Sequence, residues 1–222
     1  MRTKERGFTL IELMVVLTII ATLVAAVGLG VSVAQGQMAK TRTKARLDAL
    51  GGWLQQASKS ENLGAAPSAD TSKLRGPGNA KKAVKWGEKI GQLENDANMG
   101  IETLFLALAI PELASLTRPE LTEDAYANSD DDDVGERVGN LPSTALFEIV
   151  DSWGNPYVYF AAVDYKNAKK LGRYTLLNGT DVMCEPVKND TTGEFRNVDT
   201  FQLFSMGPDG VPGTEDDIHF GF

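Results

Sequence analysis

The C-terminal run Ser205–Ile218 mixes acidic side chains with glycines in a pattern that could bind a hard cation. Asp209, Asp216 and Asp217 supply three carboxylates within nine residues. Calcium takes roughly six to eight oxygen ligands from carboxylates and backbone carbonyls. The glycines of the run allow its backbone to curl and to turn carbonyl groups inward. Because three like charges in a tight loop repel each other, the residues fit either a calcium loop or an acidic turn exposed at the surface.

The N-terminal segment offers a different chemistry. Three basic residues precede Gly7, and 22 residues without charge extend from Leu13 to Ala34. A helix rising about 1.5 Å per residue would carry that run through about 33 Å, which is enough for a hydrocarbon core of about 30 Å. The sequence therefore predicts a transmembrane helix. Cleavage after Gly7 would remove a basic leader and leave the whole apolar segment on the mature chain.

Glu12 lies at the start of this segment, where a carboxylate without a partner is costly. One interpretation is local: Thr9 and Glu12 match a capping box, in which Glu12 bonds a free backbone N–H at the helix start. The other requires cleavage after Gly7, because the new amine of Phe8 could then pair with Glu12 in the same chain or in a neighbour. A pair between neighbours would select one axial register, since a slipped register leaves a buried charge unpaired.

The composition excludes several kinds of partner and site. The net charge of −8 argues against nucleic acid as the main partner, because phosphates repel an acidic protein. Cys184 is the only cysteine, which excludes an internal disulfide. His219 is the only histidine, which excludes most histidine-based catalysis and any multi-histidine metal site. The four basic residues at 40–46 fit a solvated face, a contact with lipid headgroups or a partner for an acidic patch on the next subunit.

Residues 7–12 (GFTLIE), followed by the apolar stretch, closely resemble the prepilin leader of type IV pilins and type II secretion pseudopilins. The resemblance implies that a prepilin peptidase cuts between Gly7 and Phe8 and methylates the Phe8 amine. It also implies that Glu12 recognises the N-terminus of a neighbouring subunit. Many family members carry a proline in the second half of the membrane segment, whereas Gly28 and Gly30 are the only helix-weakening residues here.

Two further stretches make the resemblance more specific. Residues 151–157 (DSWGNPY) resemble the DPWGNPY stretch of the type II secretion major pseudopilin, with Ser152 in place of the usual proline. Residues 205–218 resemble the C-terminal calcium loop of the same family. Carried over by position, this resemblance implies a Ca²⁺ site with the following ligands: the side chains of Asp209, Asp216 and Asp217, and backbone oxygens near Met206 and Thr214.

The expected fold class is α+β and pilin-like, with a long N-terminal helix packed on a small antiparallel sheet that ends in the calcium loop. The expected divisions are a prepilin leader (1–7), a transmembrane or filament-core helix (8–35), its amphipathic continuation (36–58) and a globular head (59–222). The head would hold variable loops and a helix at 61–140 and the sheet at 141–222. The pattern predicts a helix at 100–109 and strands at 156–162, 172–177 and 200–206. The aspartates 130–133 are typical of a solvated, mobile run, with a second calcium site as the alternative.

The function that the resemblance implies is structural. The chain would be a subunit of a type II secretion pseudopilus, anchored by a single pass in the inner membrane with its head exported to the periplasm. Its partners would be copies of itself, prepilin peptidase, minor pseudopilins, the inner-membrane assembly platform and, before assembly, membrane lipid. One alternative is a type IV pilin of a surface fibre, although the usual C-terminal disulfide loop needs two cysteines. Another is a membrane-tethered enzyme or ligand-binding protein, for which the sequence offers no catalytic constellation.

Overall fold

The structure is a computed structural model that describes residues 9–60, 65–69, 96–108, 119, 121–133 and 144–221. The chain forms two compact units, Met1–Thr41 and Arg42–Phe222, the second of which we call the head. The predicted cleavage site lies outside the described residues, as does much of the predicted variable region at 61–140.

The first element is the helix α1, which spans Leu10–Ser58. The prediction of one long N-terminal helix is confirmed, and the helix continues without a break through Gly28 and Gly30. Its early turns expose large apolar side chains; for example, Leu10 is 77% exposed and Val33 is 66% exposed. Within the part of the chain that the structure describes, no helix qualifies as a membrane-crossing span.

The last turns of α1 belong to the head and are amphipathic. Leu47, Leu50, Leu54 and Ala57 are fully buried, and Trp53 is nearly so. These positions recur every three or four residues, so that they form one face of the helix. Together with Trp53, they form the stripe of α1 that packs into the core of the head. Gly51 lies beside this stripe, where a Cβ would come within 2.5 Å of the ring of Phe220.

The remaining helices and strands of the described chain are short. Two helices follow α1: α2 (Met99–Leu108) and α3 (Ala168–Leu171). Turns of 3-10 helix lie at Glu123–Ala125 and Ala162–Asn167. The strands are β1 (Tyr126–Ala127), β2 (Glu148–Ile149), β3 (Val158–Ala161), β4 (Arg173–Thr175), β5 (Asp181–Met183), β6 (Phe201–Ser205) and β7 (Ile218–His219).

The strands pair only in the antiparallel sense, as predicted, but they form three small sheets. β1 pairs with β2, β4 pairs with β5, and β6 lies between β3 and β7. The predicted strand at 156–162 is shorter in the structure, because Pro156 contributes only an isolated bridge to Val150. A proline has no N–H for a ladder, which explains this late start.

One apolar core unites the head. Every residue of β3 and β6 is buried, and their side chains share a cluster with the apolar face of α1 and with α2. A short three-stranded sheet needs such cover to be stable. The stability of the head therefore depends on the last turns of α1.

Replacing Leu50 by alanine tests this dependence. We expect Leu50→Ala to lower the free energy of unfolding by about 2–5 kcal/mol, because it leaves a cavity in a fully buried position. The matched control Leu177→Ala removes the same atoms from a side chain that is 61% exposed, and it should change stability by less than about 0.5 kcal/mol. Urea unfolding followed by circular dichroism measures both values. Equal midpoints for the two variants would contradict the packing.

Candidate functional site

The start of α1 forms a reciprocal capping box. The backbone N–H of Thr9 donates to Oε2 of Glu12 at 2.8 Å, and the Thr9 hydroxyl donates to the same oxygen at 2.7 Å. The backbone N–H of Glu12 donates to the Thr9 hydroxyl at 3.3 Å. The local interpretation of Glu12 is thus confirmed. Its predicted partner Phe8, and Gly7 before it, lie outside the described residues, so that the pairing with a cleaved N-terminus stays a prediction.

The turn at residues 151–157 is organised by the buried carboxylate of Asp151. Its Oδ1 accepts hydrogen bonds from the backbone N–H groups of Trp153 (2.9 Å) and Asn155 (3.0 Å). Its Oδ2 accepts one from the hydroxyl of Ser205 at 2.6 Å. Burial raises the pKa of Asp151, and these hydrogen bonds oppose the rise because they favour the charged form.

The same turn connects α1 to the C-terminal loop, residues 205–218. The Thr43 hydroxyl of α1 accepts a hydrogen bond from the backbone N–H of Ser152 (3.0 Å), and the Thr43 carbonyl accepts one from the Tyr157 hydroxyl (3.0 Å). On the other side, the Asn155 amide donates to the carbonyl of Gly207 at 2.8 Å. Because Ser152 uses its N–H in this contact, the serine makes a bond that a proline at this position could not make.

Glycines in the left-handed conformation turn the C-terminal loop, and groups of the loop donate hydrogen bonds to its own carboxylates. The side chain of Asp209 accepts from the N–H of Val211 at 2.8 Å. Asp216 accepts from the hydroxyl of Thr214 at 2.6 Å, and Asp217 accepts from the N–H of Gly213 at 2.8 Å. These bonds hold the three predicted ligands in one compact loop.

Gly207 shows how closely this loop is folded. Its φ of +68° lies in the left-handed region, and a Cβ would lie 2.5 Å from a carboxylate oxygen of Asp216. Any other residue here would thus be strained and would push into that side chain.

Of the three aspartates in the loop, Asp217 is the best suited to bind a cation. Its side chain is 4% exposed, and its Oδ1 is buried without a hydrogen-bond partner. Burial raises its pKa to about 6, and the negative charges of Asp216 and Asp209 add to the rise. A buried oxygen without a donor, next to two like charges, fits a cation ligand.

The other predicted ligands fit less completely. The carbonyl of Thr214 accepts from the N–H of Asp217 at 3.4 Å, and Met206 is fully buried beside the thiol of Cys184, with its sulfur 3.7 Å from Sγ. Glu215 is exposed. Among the described residues, the carboxylate oxygens of Asp209, Asp216 and Asp217 do not all lie within 4.8 Å of one another.

Sequence reasoning included only Asp130, in the alternative of a second calcium site at 130–133, but such a convergent set exists in the head. It consists of Glu102, Asp130 and Glu148, which we call the acidic cluster. The run 130–133 was expected to be solvated, but only Asp131 and Asp133 are exposed, whereas Asp132 is buried. The expectation was wrong for Asp132 because the turn between β1 and β2 carries it into the head.

The basic residues at 40–46 mostly bind the head of their own chain. The Lys44 ammonium donates to the carbonyl of His219 at 2.9 Å, and the Arg46 guanidinium donates to the carbonyl of Val150 at 2.8 Å. Arg46 also pairs with Asp124 at 3.2 Å, beside an exposed contact from Arg42 at 3.7 Å. The idea of a wholly solvated face is therefore wrong for Lys44 and Arg46.

Comparison with known proteins assigns a family to the N-terminal segment. Residues 2–28 match the family described as the prokaryotic N-terminal methylation motif. This match covers the apolar start of α1 together with Thr9 and Glu12. Neither the curated proteins nor the solved structures contain a significant match to the chain.

Removing the Asp151 carboxylate tests the organisation of the turn. We expect Asp151→Ala to lower the free energy of unfolding by about 3 kcal/mol or more, because each buried donor left without an acceptor costs about 1–3 kcal/mol. The control Asp190→Ala removes an exposed carboxylate and should change stability by less than about 0.5 kcal/mol. Thermal unfolding of both variants provides the measurement, and an unchanged Asp151→Ala would refute the hydrogen-bond network.

Proposed function

We propose that this chain, a type IV pilin-like protein by its N-terminal methylation motif, is a structural subunit of a type II secretion pseudopilus. The motif makes it a substrate of prepilin peptidase and a subunit that assembles with copies of itself. The observation that carries the proposal is Glu12 at the start of a helix whose apolar side chains are exposed within the single chain.

The exposed apolar surface indicates that the early turns of α1 are not left in contact with water. Side chains such as Leu17, Leu23 and Val31 are at least half exposed. Burial of apolar surface gains roughly 25 cal/mol per Å², so this surface strongly favours an apolar environment. We infer that membrane lipid supplies this environment before assembly and that neighbouring N-terminal helices supply it in the filament.

Glu12 gives the assembly its register. In the unprocessed chain its carboxylate caps the start of α1. After cleavage between Gly7 and Phe8, the methylated amine of Phe8 would be a cation at the same helix start. An arriving subunit that aligns its carboxylate with a neighbour's amine gains a charge-assisted hydrogen bond in an apolar surrounding. A slipped subunit would leave one charge unpaired.

The turn and the C-terminal loop support the secretion system over a surface pilus. Asn155 and Asp151 join the two stretches that resemble the major pseudopilin, through contacts to Gly207 and Ser205. In the same proposal, Asp209, Asp216 and Asp217 bind Ca²⁺ with backbone oxygens near Met206 and Thr214. Bound calcium would neutralise the charges of the loop and make it rigid.

Two substitutions at the helix start separate the two roles of Glu12. Glu12→Gln keeps a capping side chain but removes the charge, since glutamine also suits this position of a capping box. Thr9→Val keeps the charge but removes the hydroxyl that bonds it. We expect Glu12→Gln to be cleaved normally but not to assemble, and we expect Thr9→Val to assemble.

The measurements are the N-terminal residue of the mature chain by mass spectrometry, the amount of filament in a sheared fraction and the export of secreted proteins. Filaments of normal quantity from Glu12→Gln would refute the register mechanism. A mature terminus other than Phe8 would refute the processing step. If Glu12→Gln abolished surface motility but left protein export normal, the assignment to secretion would be refuted.

Calcium binding by the loop is tested by counting bound ions. We expect Asp217→Asn in the full chain to bind one calcium fewer than the parent, because it removes the buried charged oxygens of the loop. The control Glu215→Gln removes the same charge from an exposed position of the loop and should bind as many ions as the parent. Native mass spectrometry of chelator-stripped protein after addition of calcium gives the counts. An equal count for Asp217→Asn and the parent would show that the loop binds no calcium.

A further inference from the structure

Three acidic side chains that are distant in sequence meet inside the head. Glu102 comes from α2, Asp130 from the turn after β1 and Glu148 from β2. One carboxylate oxygen of each lies within 4.8 Å of those of the other two. Two oxygens on opposite sides of a calcium ion, each at about 2.4 Å, are about 4.8 Å apart at most. The acidic cluster therefore already has the dimensions of a calcium coordination sphere.

The acidic cluster is closed to water. Glu102 is 1% exposed and Glu148 is fully buried. Both carboxylate oxygens of Asp130 are inaccessible to solvent. Three carboxylates buried side by side are costly, because desolvation of each charge is expensive unless a cation or hydrogen bonds compensate for it.

Glu102 gives a second and independent indication of a ligand. Its Oε1 is buried and has no hydrogen-bond partner, although this side chain contributes an oxygen to the cluster. Next to the cluster, Oδ1 of the buried Asp132 also has no hydrogen-bond partner. A buried acceptor without a donor costs about 1–3 kcal/mol, and the described protein atoms supply no donor to either oxygen.

The charges of these groups raise each other's pKa. Burial raises the pKa of Glu102 well above its usual range, and the negative charges of Asp132, Asp130 and Glu148 add to the rise. Burial also raises the pKa of Glu148 to about 8 and that of Asp132 to about 7. Only two chemical solutions relieve such a set: bound protons or a bound cation.

Two hydrogen-bond donors orient the carboxylate of Glu148, and the N–H of Ser129 partly opposes the rise in its pKa. Its Oε1 accepts from the amide of Asn98 at 3.1 Å, and its Oε2 accepts from the backbone N–H of Ser129 at 3.0 Å. The buried Asn98 is fixed in turn, because its Oδ1 accepts from the N–H of Thr175 at 3.0 Å. Donors that orient a carboxylate from behind are the usual outer contacts of a metal ligand.

We propose that Glu102, Asp130 and Glu148, with Asp132 beside them, form a buried Ca²⁺ site in the head, separate from the C-terminal loop. All donor atoms are carboxylate oxygens, which suit a hard cation and not zinc or copper. Calcium fits better than magnesium, because magnesium keeps several of its waters and a closed site leaves them little room. The ion joins α2, the turn after β1 and β2, and thereby fixes the helix to the edge of the head.

The test counts calcium ions on the full chain in mild detergent, in the Asp217→Asn background, so that the C-terminal loop does not contribute. We expect this chain to bind one calcium ion, and we expect Glu102→Gln in the same background to bind it with a Kd at least about tenfold higher. The control Asp131→Asn removes a charge from an exposed neighbour of the cluster and should keep the ion. Magnesium in place of calcium should bind more weakly.

A second readout distinguishes the cation from protons. Infrared spectra should show the C=O band of protonated carboxyls in chelator-stripped protein and its loss on addition of calcium. Asp132→Asn serves as a second variant if Glu102→Gln does not fold, and it should weaken the binding as well. Equal calcium binding by the parent and the folded cluster variant would refute the site, and so would a carboxyl band that calcium leaves unchanged. Neither result would affect the proposed filament function.

Discussion

The helix α1 carries apolar side chains along most of its length, and among the described residues those buried in the chain begin at Leu47. This division is the constraint on which the molecule depends. The buried turns cover the core of the head and cannot leave it without exposing β3 and β6. The described part of the chain leaves the large apolar side chains of the earlier turns exposed, and exposed apolar surface favours an apolar environment.

The charged groups at the start of α1 and those in the head have different surroundings. Glu12 at the start of α1 is a charge placed beside apolar surface, and among the described residues its carboxylate accepts hydrogen bonds from Thr9. Within the head, Arg46 is paired with Val150 and Asp124, and Asp151 is bonded to the turn that it organises. The first arrangement suits a contact yet to be made, whereas the second suits a fold that is complete.

Much of the fold could be predicted from the sequence, because the signals were local. The capping box of Thr9 and Glu12 marks the start of α1, and the periodic leucines mark its packing face. The strands β3, β4 and β6 fall within the predicted segments. The two-residue strands were missed because their pairing is set by the tertiary fold. Glu102 was hidden among the apolar residues of α2, and nothing local connects it to Glu148, 46 residues further along the chain.

The hydrogen bonds from Lys44 and Arg46 to carbonyls of the head have a mechanical consequence. One acceptor is Val150, directly after β2, and the other is His219 in β7, so the two bonds connect these turns of α1 to two different parts of the head. Separating these turns of α1 from the rest of the head would thus break two hydrogen bonds to distant parts of the chain at once.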